Sequence, residues 1–544
     1  MSVSSCRQPG RDRVTAPEVT LTDVTLETGI DFVHYNGSTG QYYYVETFGS
    51  GAAFLDFDDD GWLDIYLVNG TFLSGLPPQE SPRNRLYRSQ AGDADRRFVD
   101  VTIASGAGDT RYGMGCAAGD WDNDGNADLY ITNFGRNTLY RSLADGTGSR
   151  RFSDVTDSTQ TGDERFGSST GFLDFDLDGD LDLFVVNYVD FTTTRNVICK
   201  SGKVRTYCDP GEFGPEGDVL YRNDGPGRPF ADITVEAGID QQGRGLGVAF
   251  SDFDQDGDTD IYVANDGAMN FLYENRRGSF VDIGLQVGGR YNDDGRAEAG
   301  MGVDFGDFDN DGHLDIFVTN FSRETNTLYR NTGQGEFADI TVMAGLSSPS
   351  FLPLGFGTRF VDADNDGYLD LVVANGHVLD RIAEADEWLS YPQPDQLLRN
   401  VDGTYSDVSE SVGPGLRRPA VGRGLATGDY DNDGDVDILI TNEGSRPRLL
   451  RNDGGNRGNW LLVSLVGEGL RDALGTRVEV EAEGRILVRE RQSGGSYLSS
   501  HDPRLHFGLG AAETVSVTVR WPDGSVIKRE DVAVNQVLKF RQDG

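Results

Sequence analysis

The 544 residues carry 89 Asp and Glu against 48 Lys and Arg, a formal net charge of -41 that repels nucleic-acid phosphates and anionic membrane surfaces and attracts cations. With 37% hydrophobic and 10% aromatic residues the chain can build packed cores, its length asks for more than one domain, and 72 Gly favour turn-rich β structure over helix. No run of 18 apolar residues occurs, so no helix is long and apolar enough to span a membrane.

In chain order, residues 1–20 are polar and patternless, the signature of a disordered tail. Within it, Val3-Ser4-Ser5-Cys6 resembles the end of a bacterial lipoprotein signal whose apolar segment is missing. A start codon placed too late and a chance match both account for this, and the first would make Cys6 a lipid anchor. A strand-like string, Leu21-Thr22-Asp23-Val24-Thr25, comes next. A long connection to Phe48 then holds His34, Tyr42, Tyr43 and Tyr44.

From there one motif, Asp-x-Asp-x-Asp-Gly-x-x-Asp, recurs seven times. Its carboxylates are Asp56, Asp58, Asp60 and Asp64; Asp120, Asp122, Asp124 and Asp128; Asp174, Asp176, Asp178 and Asp182; and Asp252, Asp254, Asp256 and Asp260. Further copies follow at Asp307, Asp309, Asp311 and Asp315; Asp362, Asp364, Asp366 and Asp370; and Asp429, Asp431, Asp433 and Asp437. A small-residue strand precedes each copy, as in Gly51-Ala52-Ala53-Phe54-Leu55, and an aliphatic run ending in Asn follows it, first at Asn69. A Leu-Tyr-Arg-like string and a fourth string like Phe98-Val99-Asp100 complete the unit. Four short strands per unit with Gly- and Asn-rich turns is the composition of a propeller blade, so residues 21–455 predict an all-β, seven-bladed β-propeller. The last unit lacks its fourth string, and Leu21 to Thr25 is a spare copy of it. The N-terminal strand is expected to complete the last blade and cover its edge.

Carboxylates at positions 1, 3 and 5 with Gly at 6 wrap a loop around one point, and hard oxygen ligands at that spacing suit calcium. An EF-hand would place Glu at position 12, where these loops have Leu67, Ile131, Val185, Val263, Val318, Val373 and Ile440. The loops therefore join strands, with the fourth carboxylate at position 9. Metal-free Asp- and Gly-rich turns are the competing reading. Against it, two carboxylates about 5 Å apart repel by roughly 3 kcal/mol at an effective dielectric of about 20. About seven calcium sites are expected.

The repeat resembles the FG-GAP, or VCBS, repeat of integrin α-subunit propellers and bacterial surface proteins. Residues 456–544 alternate like a small β-sandwich, with Val478, Val480 and Ala482 on one face. This segment resembles the ASPIC/UnbV module in Gly475-Thr476-Arg477-Val478, Ser493-Gly494-Gly495-Ser496-Tyr497, His506-Phe507-Gly508-Leu509-Gly510 and Trp521-Pro522-Asp523-Gly524. Together the two resemble the cartilage acidic protein family and its bacterial relatives. The resemblance implies a calcium-binding protein of the extracellular space, cell surface or periplasm, without a firmly assigned catalytic activity. A similar cysteine pair in family members implies a disulfide between Cys199 and Cys208, and no His lies near them to suggest zinc.

Two function classes follow. One is a propeller presenting a surface for adhesion or for binding a protein or glycan. The other is a propeller-scaffold lyase or hydrolase acting on polysaccharide, which the five His and the lack of an acid/base cluster outside the acidic loops disfavour. The long connections after Asn69, Asn187 and Asn375 and the one from Leu26 to Phe48 share the face away from the acidic loops. His34, Tyr42, Tyr43, Tyr44, His377 and Trp388 are the candidate anchors there.

Overall fold

A computed structural model describes residues 19–73, 81–90, 96–144, 150–201, 204–239 and 242–542. The expected tail with Cys6 lies outside the described residues, apart from Val19 and Thr20.

Seven four-stranded antiparallel sheets form in chain order, one for each acidic motif. Their first strands are Ala52–Leu55, Gly113–Gly119, Gly167–Leu173, Gly245–Ser251, Val303–Gly306, Gly355–Val361 and Gly422–Gly428. These adjoin one another in order, and the seventh returns to lie beside the first. In sheet 7 the outer strand is Thr20–Asp23, paired antiparallel with Arg448–Asp453, so the chain start supplies the missing fourth string.

The packing explains why the inner strands do not alternate between apolar and polar. Residues of one parity face the preceding sheet and those of the other parity face the next, so both faces are buried. Ala52 and Phe54 pack with Leu439 and Leu449 of sheet 7, whereas Ala53 and Leu55 pack with Cys116 and Leu129 of sheet 2. A separate apolar core lies at each of the seven sheet-to-sheet junctions, including the one between sheets 7 and 1. This is the layout of a β-propeller.

Residues after Asn459 form two further sheets. One runs Leu505–Gly510, Asn459–Val466, Gln536–Arg541, the last pair parallel. The other runs Arg485–Glu490, Arg477–Ala482, Thr514–Arg520, Val526–Ala533. Val478, Val480, Val517, Phe507 and Phe540 meet between them as the core of a small sandwich.

The sandwich is not an appendage. Its segment from Ser493 to Asp502 enters the centre of the ring and hydrogen-bonds the first strands of all seven sheets. The Leu498 carbonyl accepts from Cys116 N–H (3.1 Å), Ser500 exchanges backbone bonds with Ala52 and Phe54, and Gly495 N–H donates to Val248 O (2.8 Å). Ser496 pairs with Val303, and its hydroxyl accepts from Thr358 N–H (3.1 Å). Ser493 Oγ accepts from Phe172 N–H (3.0 Å), and Asp502 N–H donates to Thr427 O (3.0 Å). The approach is so close that a Cβ on Gly51 would sit 1.6 Å from the Leu498 carbonyl oxygen. Small side chains in this segment let its backbone act as a strand shared among seven edges.

Candidate functional site

The acidic loops share one geometry. The first Asp of each accepts hydrogen bonds from the N–H groups of the third Asp and of the Gly, as Asp56 does from Asp60 (3.1 Å) and Gly61 (2.9 Å). The fold back needs left-handed backbone at two residues. The Gly takes φ of 84° to 98°, and the residue two before it, such as Asn123, Leu177 or Gln255, takes 55° to 62°. The fourth Asp is tied to the strands: Asp64 accepts from Phe57 N–H (2.8 Å) and Ser89 N–H (2.7 Å).

These constraints turn carboxylates toward each other. Three oxygens lie within 4.8 Å of one another in Asp56, Asp58 and Asp64, and likewise in the sets Asp120, Asp122, Asp128; Asp174, Asp176, Asp182; Asp252, Asp254, Asp260; and Asp307, Asp309, Asp311. The second Asp carries the unmet demand. One buried oxygen of Asp58, Asp122, Asp309, Asp364 and Asp431 has no hydrogen-bond partner. Arginines of the third strands reach its other oxygen, Arg330 to Asp309 and Arg399 to Asp364 at 2.7 Å. Burial pushes the Asp56 and Asp252 carboxyls up to about 6, those of Asp120, Asp174 and Asp307 to about 7, and those of Asp64 and Asp429 to about 8. Hard oxygens held around one point, one of them buried and unpaired, fit a hard divalent cation.

A second repeat feature was not anticipated. The Asn closing the third strand sends its amide to the loop of the preceding sheet: Asn275 Nδ2 donates to Phe175 O, Asn331 to Phe253 O, Asn400 to Phe308 O and Asn452 to Ala363 O, at 2.8–2.9 Å. Asn223 does the same to Trp121 O (2.8 Å). Each links neighbouring sheets at the acidic end. The signal was present as the residue after the Leu-Tyr-Arg string.

The sandwich covers this acidic face. Arg485 donates to Asp366 O (2.9 Å), Gly510 N–H to Asn365 O (2.7 Å), Arg504 to Asp429 O (2.7 Å) and Arg477 to Gly312 O. His501, Asp502 and His506 belong to this contact. Both histidines are held neutral by burial: His506 is lowered to about 4, and His501 is well below its ordinary value.

The opposite face is where the long connections meet. Cys199 and Cys208 form a disulfide with Cα atoms 5.2 Å apart. That loop reaches the connection before sheet 1: Asn196 donates to Gln41 O (2.9 Å), Tyr207 to Glu46 (2.9 Å), and the Tyr42 and Tyr207 rings lie 5.0 Å apart. Arg323 of the sheet 5 connection donates to Asp386 of the sheet 6 connection (2.8 Å). Residues 74–80 of the connection after Asn69 lie outside the described residues.

The six anchor candidates all sit at this end but divide into two kinds. Trp388 is 72% exposed, and Tyr42 and Tyr43 are half-buried. His34 and His377 are buried, which removes them from any contact surface. They brace loops instead, His34 accepting from Gly444 N–H (3.1 Å) and His377 from Leu379 N–H (3.0 Å). Burial lowers them to about 3 and about 4, so both are neutral acceptors. Tyr44 is buried in the central aromatic core, its hydroxyl 2.7 Å from that of Tyr188, yet it lines a cavity of about 540 Å³ that opens on this face. Arg423, fully buried, donates to the carbonyls of Thr47, Gly376, Gly422 and His377 and so joins the ends of sheets 1, 6 and 7.

Residues 56–131, 120–185, 252–318 and 307–373 match the family described as FG-GAP-like repeat, and residues 467–544 match ASPIC and UnbV. Cartilage acidic protein 1 of Mus musculus is 26% identical over 524 residues, covering 90% of this chain and 73% of its own length. The Homo sapiens protein is 25% identical over 519 residues, covering 90% of this chain and 71% of its own. An Agrocybe aegerita lectin structure aligns over 75% of this chain and 94% of its own at 15% identity and a TM-score of 0.36, too low to bear on this chain's ligand. The chain carries FG-GAP-like repeats followed by a C-terminal ASPIC and UnbV domain, and it is similar over 90% of its length to cartilage acidic protein 1.

Proposed function

We propose that this is a calcium-stiffened binding protein of an oxidising compartment (extracellular space, cell surface or periplasm) that meets a protein or glycan partner through the face away from its acidic loops. The observation that carries the reading is the asymmetry of the two faces. The sandwich covers the acidic end, whereas the other end is left open around a cavity, with Tyr42 against the cavity residue Tyr207 and Trp388 exposed. The acidic loops take calcium through Asp positions 1, 3, 5 and 9, which fixes the loops joining each first and second strand. The ion supplies charge neutralisation of the clustered carboxylates. The disulfide supports the compartment. A protein and glycan array probed with wild type and with Trp388→Ala tests it. Binding that requires Trp388 supports the reading, and binding indifferent to every open-face variant removes it.

One observation favours the enzyme reading. The cavity holds Asp266, which accepts from the Tyr188 hydroxyl and whose carboxyl is pushed up to about 6 by burial, a value suited to general acid or base work. Incubation with polysaccharides and detection of unsaturated or reducing-end products separates the two readings.

A further inference from the structure

The open-face cavity lies next to the plugged centre of the ring, where Tyr497 and Leu498 share a core with Tyr44, Phe48 and Phe356. Tyr497 of the inserted segment packs edge-to-face against Phe356 with ring centroids 4.9 Å apart, and its hydroxyl donates to Phe48 O (3.2 Å). Phe356 and Phe48 in turn line the cavity, so the plug backs two of its wall residues. Its volume of about 540 Å³ lies within the range of small-ligand sites, roughly 300–1,000 Å³.

Its walls have a definite chemistry. Tyr44, Tyr207, Phe321 and Phe356 present aromatic surface. Among them stand three carboxylates, Asp209, Asp266 and Glu324, and a single cation, Arg244. The acids come from three different connections, so their meeting is a tertiary event. They feel one another: the charges of Asp209 and Glu324 both act to keep Asp266 protonated, and Arg244 opposes them. Arg244 forms no ion pair among the described residues, and its buried Nε is without a hydrogen-bond partner. Glu324 is positioned by the N–H groups of Ala299 (2.9 Å) and Phe321 (3.4 Å).

An excess of carboxylate over cation, in a cavity walled by aromatic rings, selects for positive charge. The net charge of -41 enriches cations around the molecule as a whole. We propose that the cavity is a binding site for an organic cation, an ammonium or guanidinium group on an alkyl stem such as a lysine or arginine side chain presented by a partner. The charged head lies among Asp209, Asp266 and Glu324, and the stem lies against Tyr44, Tyr207 and Phe356. Aromatic rings attract a cation while the acids neutralise it. A uronic acid or phosphate would meet three like charges for one opposite charge, and a neutral sugar would leave the acids unneutralised.

This rests on the open face being the working face, and the test separates the two. Lysine and arginine blocked at both termini are titrated into the full chain with calcium, beside blocked norleucine, methyl glucoside and glucuronate. The expected result is saturable binding of a cationic probe, at least about tenfold tighter than norleucine, with neither sugar binding as well. Asp266→Asn keeps an acceptor for Tyr188 and Glu324→Gln keeps acceptors for Ala299 and Phe321. Each should weaken binding about tenfold without moving the melting temperature. Norleucine or a sugar binding as tightly as lysine, or no cationic probe binding at all, overturns the proposal. Should that happen while an array partner still depends on Trp388, the open-face reading stands and only the cation site falls.

Discussion

Asn331 shows how a single side chain holds two repeats together. Its amide donates to Phe253 O of the preceding sheet (2.9 Å) and to Leu314 O (3.3 Å), and both carbonyls lose a buried partner if it is removed. Asn331→Ala is expected to cost about 1–3 kcal/mol in urea unfolding with calcium present. The aspartates make a pH prediction. With metal chelated, Asp56, Asp120 and Asp174 titrate in the folded chain at about 6, 7 and 7, above the usual carboxylate value of about 3.9. The folded state then binds more protons than the unfolded state between about pH 4 and 7, so stability must fall as pH rises through that window. Melting of the chelated protein should drop from pH 5 to pH 8, and calcium should flatten the slope. These residues were legible because they recur at fixed spacing. The charges of the cavity were not, because Asp209, Asp266 and Glu324 belong to no shared motif and meet only when their loops converge.

Two elements close the molecule, and they differed in how far the sequence revealed them. The strand Thr20–Asp23 was visible as a spare copy of the fourth string, and it pairs where a missing copy predicts. It buries Leu21 completely against sheets 6 and 7. A chain begun at Leu26 should melt well below one begun at Val19, since Leu21 alone contributes about 1.5–3 kcal/mol on burial. The plug was recognisable only as a motif. Its run of Ser and Gly has no apolar period to reveal a partner, and its contacts lie on the far side of the sequence, Leu498 with Cys116 and Ser500 with Ala52. Its anchor is Tyr497, fully buried among Phe356, Phe48 and Leu498. Tyr497→Ala should cost about 3–5 kcal/mol by thermal or urea unfolding, the loss expected of an aromatic side chain in a packed core. A free sandwich tethered to an independent ring would show no such penalty in the ring's transition.

At the scale of the whole molecule, the seven sheets form a ring pinned at its centre by the plug, covered by the sandwich on the acidic face and open on the other. The acidic loops stand at the rim of the covered face, and the sandwich grips them through loop carbonyls such as Asp366 O and Asp429 O. Under the proposed calcium binding, metal in the loops would therefore set both the ring and the platform on which the sandwich rests. Extracellular calcium modules bind with dissociation constants of about 10⁻⁴–10⁻³ M. At millimolar calcium each site of about 0.1 mM affinity adds about 1.4 kcal/mol, and about seven sites add roughly 10 kcal/mol. The most direct test is thermal melting in chelator, in calcium and in magnesium, with bound calcium counted by equilibrium dialysis. About seven ions per chain are expected, with a melting temperature lower by tens of degrees in chelator and recovery with calcium but not magnesium. A melting temperature unchanged by chelator, with no calcium retained on dialysis, would contradict calcium binding in the loops.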